Sequence, residues 1–233
     1  MRDSARLMET AIDYHSDIAE AFDGKYTISL GFQERFQVWT SLFGQYVPTG
    51  SRVLDLGCGS GVLSGYLGGR GCLVTGIDGS ARMIALCEKN RQSANEQYIV
   101  QTLPLPNPTA YIPADVVTAS SLLEYLDDMP LLLQQAHSIL NPGGLLIVSM
   151  PNRRCLWRHI ERLTYRLTRR PAYFGHIRNV SDVTTFGRQL NLLGFDMVDT
   201  RYFSSFDPLS SLLKAILPKP FVNNLFVGVY RKR

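Results

Sequence analysis

The residues best placed to do chemistry lie in one stretch, Val53-Leu54-Asp55-Leu56-Gly57-Cys58-Gly59-Ser60-Gly61. An apolar run ends in a glycine-rich turn, and Val62–Leu67 then starts a helix. Glycine at Gly57, Gly59 and Gly61 lets the backbone turn sharply and approach a ligand with no Cβ in the way. Asp78 ends the next apolar run, 21 residues after Gly57. An acid there can accept both ribose hydroxyls of an adenosine. Two ligands suit this pattern, a dinucleotide and S-adenosylmethionine (SAM). The dinucleotide fingerprint needs a third glycine at position 62, where this chain has Val62. Asp55 at the mouth of the loop is also a poor neighbour for a pyrophosphate, which seeks helix N–H groups and no anion. SAM has no phosphate, and its ammonium and sulfonium both welcome an acid. The residues therefore favour SAM, with a dinucleotide or a glycine turn without a ligand as the alternatives.

These residues need a scaffold that brings strand ends together. Short apolar runs at Arg52–Leu56, Leu73–Ile77, Gln97–Val100, Ala114–Ala119 and Gly144–Ser149 alternate with helical patterns. Ser80 is an N-cap for the helix Ser80–Asn90. This alternation predicts an α/β fold with a parallel sheet and right-handed crossovers. Two helices precede it, one carrying Leu7, Ala11, Ile12, Ile18, Ala19 and Phe22, the other spanning Phe32 to Tyr46. After Met150 the spacing predicts a basic helix over Leu156–Thr168 and a helix over Val183–Leu193 with Gly194 as its C-cap. Strands at Phe195–Thr200 and Leu225–Tyr230 follow, with one apolar helix between Pro208 and Pro220.

The sequence resembles the class I SAM-dependent methyltransferases, in particular the bacterial small-molecule group similar to the ubiquinone-biosynthesis O-methyltransferases. The resemblance rests on Asp55-Leu56-Gly57-Cys58-Gly59-Ser60-Gly61, on Asp78, on Asp115 through Tyr125, and on the turn Leu140-Asn141-Pro142-Gly143-Gly144. It covers residues 10 to 150 well and the remainder loosely. It implies a Rossmann-like, mostly parallel seven-stranded sheet in the order 3-2-1-4-5-7-6, with strand 7 antiparallel. It implies one domain over 1–233: a helical lid (1–48), a SAM-binding core (49–150), a basic cap (151–180) and a C-terminal helix with strands (181–233). The cofactor residues it implies are Tyr14 in the lid, Asp55, Gly57, Cys58, Gly59, Gly61, Asp78, Gly79, Met83 beside the adenine, Leu103 and Ser120. Such enzymes usually carry an Asp after strand three. Here Val100-Gln101-Thr102-Leu103-Pro104 leaves the adenine amino group to the backbone, Gln101 or Thr102. Similar enzymes also place a histidine at the substrate end of the sheet. His176 is therefore the expected proton acceptor, with His15 second, while His137 is expected to be structural.

The acceptor is narrowed by absences. Ser120-Ser121-Leu122-Leu123 cannot form the clamp that amino-methylation of bases resembles, and Glu124 lacks the second glutamate of protein arginine methylation. Ser121 is no preferred magnesium ligand. Cys58, Cys72, Cys87 and Cys155 show neither C-x-x-C nor zinc spacing, so no metal is expected. A small organic acceptor is the expectation, with methylation at a hydroxyl. N- or C-methylation and a non-catalytic SAM-binding protein are the rivals. The net charge of +4 is uneven, since residues 151–170 hold seven arginines and one acid. Leu156, Ile160, Leu163 and Leu167 form a stripe there, with Arg154, Arg158, Arg162, Arg166 and Arg169 on other faces. This reads as a helix packed on the domain with a solvated basic face. A cap recruiting an acidic or lipid-linked acceptor, with peripheral membrane contact, is the second reading. Nucleic acid is not an expected partner, because no aromatic platform beyond Trp157 and Tyr165 interleaves the charges. No apolar run reaches the roughly 18–20 residues of a membrane span. The acids between Met1 and Phe22 exclude a secretory signal, which predicts a cytoplasmic location.

Overall fold

The computed structural model describes residues 10–233. The helical position expected for Leu7, and the rest of the lid's first nine residues, lie outside the described residues.

Seven strands form one sheet: β1 (Arg52–Leu56), β2 (Leu73–Asp78), β3 (Glu96–Val100), β4 (Ala114–Ala119), β5 (Leu140–Pro151), β6 (Phe195–Phe203) and β7 (Leu225–Lys232). Their order is β3-β2-β1-β4-β5-β7-β6, as the resemblance implies. β7 runs antiparallel to β5 and β6, and the other pairs are parallel.

Three helices precede β1: α1 (Ala11–Asp17), α2 (Ala19–Ile28) and α3 (Leu30–Tyr46). The two expected helices thus become three, broken at Ile18 and Ser29. A capping box opens α1. Asp13 N–H donates to Thr10 Oγ1 and Thr10 N–H to the Asp13 carboxylate, both at 3.1 Å. The helix is seated on α5 (Ala81–Asn90), with the Ser16 hydroxyl donating to Ser80 Oγ at 2.7 Å and Asp17 paired with Arg82 at 3.2 Å. Ser80 caps α5 as expected, accepting from Met83 N–H.

Alternation along the strands divides the core in two. Val53, Val116, Leu145 and Ile147 face Trp39, Leu42 and Phe43 of α3 and Leu63 and Leu67 of α4 (Val62–Gly69). Leu54, Leu56, Val117, Leu146 and Val148 face Leu132 and Leu133 of α6 (Met129–Ile139) and Phe186 and Leu190 of α8 (Val183–Leu192). Burial on both faces is why the central strands read as continuous apolar runs. Lys232 Nζ donates to the carbonyls of His137 and Leu140 at 2.7 Å each, closing the C-terminus of α6. The His137 ring packs edge-on against Phe195.

Beyond β5, α7 (Leu156–Thr168) has the expected bounds but presents the opposite face to the domain. Arg158, expected in solvent, is 7% exposed, whereas Leu163 and Leu167 are 59% and 76% exposed. The inward residues, Trp157, Arg158, Glu161 and Tyr165, are largely polar and find polar partners beneath the helix, so the apolar stripe is left outside. The single apolar helix expected over 208–220 is two, α9 (Pro208–Leu213) and α10 (Lys219–Val222). Proline fits a first helical turn, so here prolines begin helices where they were expected to bound one. Among the described residues no helix is long and apolar enough to cross a membrane.

Candidate active site

Strand order reverses between β1 and β4, and the C-terminal ends of strands at such a point open a crevice. The loop after β1 enters it with Gly57, Gly59 and Gly61 at φ of +66°, +57° and +81°. A Cβ on Gly57 would stand 2.8 Å from Leu122 Cδ1, so glycine is required there by space as well as by conformation. Asp78 secures this loop from β2. Its Oδ2 accepts from Gly59 N–H at 3.0 Å and its Oδ1 from Ser80 N–H at 2.8 Å. Each oxygen keeps acceptor capacity for one more donor. Burial raises this carboxyl above its ordinary value, and the two N–H bonds oppose the rise.

Around this carboxylate lies a cavity of about 380 Å³, lined by Gly57, Gly59, Asp78, Gly79, Met83, Leu103 and Ser120, with His15, Phe22 and Arg35 closing it from the N-terminal helices. Gly79 lets Ile12 of α1 down onto the strand end, where a Cβ would come within 2.7 Å of Ile12 Cδ1. The cavity runs into a recess of about 30 Å³ bordered by Asp55, Cys58, Ser60 and Arg35. Ser60 Oγ is buried there without a hydrogen-bond partner. Arg35 is 8% exposed and reaches Ser120 Oγ from Nε at 3.2 Å and from Nη2 at 2.8 Å. Sequence reasoning missed Arg35. Its signal was an arginine within the apolar face of Phe32, Phe36 and Trp39.

Asp55 lies deeper than a loop-mouth residue. It is 2% exposed, and the hydroxyls of Ser64 and Thr118 donate to its two oxygens at 2.6 Å each. It therefore ties β1 to α4 and β4, and burial raises its carboxyl to about 6. Gly61 stands off the cavity as the N-cap of α4, beside Cys87. Cys58 Sγ lies 4.0 Å from Cys87 Sγ.

A second cavity, of about 360 Å³, opens beneath α7 and shares His15, Phe22 and Ser121 with the first. Tyr14, expected beside the cofactor, lines this second cavity, as do Lys25, Glu124, Trp157, Arg158, Glu161 and Tyr173. His15 Nε2, Glu124 Oε2, Arg158 Nε and Asn224 Oδ1 are buried there without a hydrogen-bond partner. Buried polar atoms are rarely left unpaired, so four around one cavity mark it as a candidate site for a polar ligand. His15 is held down to about 4, first by burial and then by the charges of His176, Arg35 and Lys25. His176 lines neither cavity. Its ring lies 5.2 Å from that of Tyr14, behind the wall. Sequence reasoning weighed Glu124 only as half of a missing glutamate pair and placed Arg158 in solvent. Neither burial could be read without knowing which face α7 turns inward.

Residues 32–200 match the family described as Methyltransferase domain. The chain belongs to that family. This methyltransferase has the class I fold, and its family takes the methyl group from SAM. It is 35% identical over 120 residues to a malonyl-[acyl-carrier protein] O-methyltransferase of Enterobacter lignolyticus, covering 48% of this chain and 45% of that protein. It is 34% identical over 111 residues to a ubiquinone biosynthesis O-methyltransferase of Coxiella burnetii, covering 47% of each. The matches thus span just under half the length of these curated relatives. Among solved structures, magnesium protoporphyrin IX methyltransferase of Synechocystis PCC 6803 with bound SAH superposes with a TM-score of 0.70 at 17% identity, covering 95% of this chain and 98% of that one.

Proposed function

We propose that this methyltransferase transfers the methyl group of SAM to a hydroxyl of a small or lipid-linked acceptor held in the cavity beneath α7. The observation that carries the reading is the meeting of the two cavities at His15, Phe22 and Ser121. One has the glycine cradle and ribose-facing carboxylate suited to SAM, and the other has unpaired polar groups suited to an acceptor. An oxygen acceptor is favoured by both relatives being O-methyltransferases; a malonyl group offers a carboxylate, so it is the ubiquinone biosynthesis relative that favours a hydroxyl.

The residues fit SAM at its ribose, its adenine and its carboxylate. Asp78 has acceptor capacity for both ribose hydroxyls, Met83 and Leu103 offer apolar walls for the adenine, and the recess at Arg35 offers a cation for the methionine carboxylate. When bound, SAM supplies a methyl group on a sulfonium, open to in-line attack. The chain's own part is to align the acceptor and exclude water. Tyr14 and Trp157 enclose the acceptor, and His15 borders the junction where the hydroxyl must meet the methyl group. Held neutral, His15 is suited to orienting that hydroxyl by a hydrogen bond. His176 supports Tyr14 from behind.

The outward stripe of α7 favours peripheral membrane contact. Leu156, Ile160, Leu163 and Leu167 are exposed beside Arg154, Arg162 and Arg166, and exposed Leu212 and Ile216 follow in and beyond α9. Apolar side chains ringed by arginine suit an anionic membrane surface. The deciding assay is conversion of SAM to S-adenosylhomocysteine with a panel of phenols and alcohols, alongside calorimetry with SAM and NAD. Hydroxyl-dependent turnover is expected. Tight NAD binding without SAM binding, or SAM binding with no turnover of any acceptor, would refute the proposal.

A further inference from the structure

We infer that Glu124 is the catalytic residue that takes the acceptor's proton. The inference rests on the hydroxyl-acceptor reading above and names the base for that same site. Glu124 sits in a short turn, Leu123–Tyr125, after β4, and is 4% exposed. Its Oε2 has no hydrogen-bond partner, although it belongs to a residue lining the acceptor cavity.

The other two carboxylates around that cavity are committed. Glu161 accepts from Arg158 Nη1 at 3.0 Å and from the Tyr173 hydroxyl at 2.7 Å. Asp207 accepts from Ser210 N–H at 2.7 Å and from Asn224 Nδ2 at 2.8 Å. Of these three carboxylates only Glu124 has an oxygen without a hydrogen-bond partner. Its backbone is fixed for the purpose. Arg178 N–H and Asn179 N–H donate to its carbonyl at 2.6 and 3.1 Å, and Asn179 Nδ2 ties down the carbonyls of Leu123 and Leu126 at 2.8 and 2.7 Å. Ser121, at φ +51°, starts this segment in a conformation that non-glycine residues seldom adopt, with its N–H held by Ser149 Oγ at 2.8 Å. Strain of this kind collects at functional sites.

Charge and proton affinity agree with the geometry. Burial raises the Glu124 carboxyl to about 7, opposed first by its own backbone N–H, then by Arg35 of α3 and Arg158 of α7, and last by the Ser121 hydroxyl. Lys25 of α2 and His15 of α1 face the same cavity, and burial keeps Tyr173 protonated. A base works best with a proton affinity near the working pH. His15, at about 4, is too weak a base for a phenol, and Glu124 is matched to it. In the step itself the O–H bond breaks as the O–CH3 bond forms. The proton passes to Glu124 Oε2, and the C–S electron pair stays on the sulfur of departing S-adenosylhomocysteine. Solvent then removes the proton from Glu124.

The test uses full-length protein, catechol as acceptor, and the variants Glu124→Gln and Glu124→Asp. Glu124→Gln is expected to lower kcat by about 10²–10⁴-fold with SAM affinity within about threefold, and to abolish the loss of rate below about pH 7. Glu124→Asp keeps a carboxylate and should retain that acidic limb at an intermediate rate. Independently of turnover, ¹³C NMR of glutamate-carboxyl-labelled protein with S-adenosylhomocysteine should show one resonance titrating near pH 7 that is missing in Glu124→Gln. Turnover by Glu124→Gln within about threefold of wild type, or an unchanged acidic limb, overturns the role of Glu124 alone. Failure of wild-type protein to methylate catechol or any other hydroxyl, while the resonance titrates near 7, overturns the hydroxyl reading and the inference with it.

Discussion

Replacing Asp55 by Asn tests whether this acid serves the scaffold or the cofactor. Asn keeps the shape and one acceptor, and the Ser64 or Thr118 hydroxyl can turn to accept from its NH2. In the wild type, burial raises the carboxyl from its ordinary 3.8 to about 6. At about 1.4 kcal/mol per pH unit, ionised Asp55 costs about 3 kcal/mol of stability well above pH 6. The sign follows from linkage. The folded value lies above the unfolded one, so the stability that protonated Asp55 contributes is fully present below pH 3.8 and is lost as pH rises through 6. About half is already lost at pH 5. Asn does not titrate, so the stability of Asp55→Asn relative to wild type should rise by about 1.5 kcal/mol from pH 5 to pH 8. Urea unfolding across that range measures it, with unchanged m values guarding the comparison. Glu124 and His15 titrate in both proteins and cancel in the difference. SAM affinity should fall by less than about fivefold, or about 1 kcal/mol. A stability difference that is flat with pH, or a hundredfold loss of SAM affinity at preserved stability, would refute this reasoning and return Asp55 to the cofactor's ammonium.

Three further outcomes are expected. Asp78→Ala removes the proposed ribose acceptor and the partner of the Gly59 and Ser80 N–H groups, and should weaken SAM binding at least tenfold in calorimetry, charge-assisted bonds being worth about 1.5–3 kcal/mol. Arg35→Met keeps the packing of α3 but removes the cation at the recess; SAM affinity should drop about 10- to 100-fold, and an unchanged value would place the methionine carboxylate elsewhere. Joint reversal of Arg154, Arg162 and Arg166 to Glu should weaken binding to phosphatidylglycerol vesicles by about 100-fold, at about 1 kcal/mol per basic side chain, and added salt should mimic it. Equal binding by the variant would leave the outward face of α7 without a membrane role.

What the sequence made legible was governed by local pattern. The sheet was readable because parallel strands buried on both faces leave short apolar runs between capped helices, and Ser80 caps α5 where its residue type says it should. Gly57, Gly59 and Asp78 announced the cofactor cavity because a turn at positive φ and an acid at a strand end leave few alternatives. Arg35 and Glu124 are different. Each is a charged residue placed by contacts with distant positions, the side chain of Arg35 by Ser120, 85 residues on, and the backbone of Glu124 by Arg178 and Asn179, 54 and 55 residues on. No periodicity within α3 or the β4 segment encodes such a partner.

Helix α7 shows why a correct helix can still be read the wrong way round. Its periodicity marks an apolar and a basic face, and the usual inference buries the apolar one. That inference assumes an apolar surface beneath. Here the surface beneath is a cavity lined by polar groups such as Glu124, Tyr173 and Asn224, and Trp157, Arg158 and Glu161 line it from α7. Arg158 can be buried because Glu161 neutralises it at 3.0 Å and the Asn224 carbonyl accepts from Nη2 at 3.1 Å, whereas burying it unpaired would cost several kcal/mol. The apolar stripe is then forced outward, where water is a poor neighbour for it and a lipid surface a good one. Under the proposed function, a helix that roofs a polar cavity and exposes leucine and arginine outside would bring a membrane-bound acceptor to the reaction centre, and a single inversion of the expected packing accounts for both features.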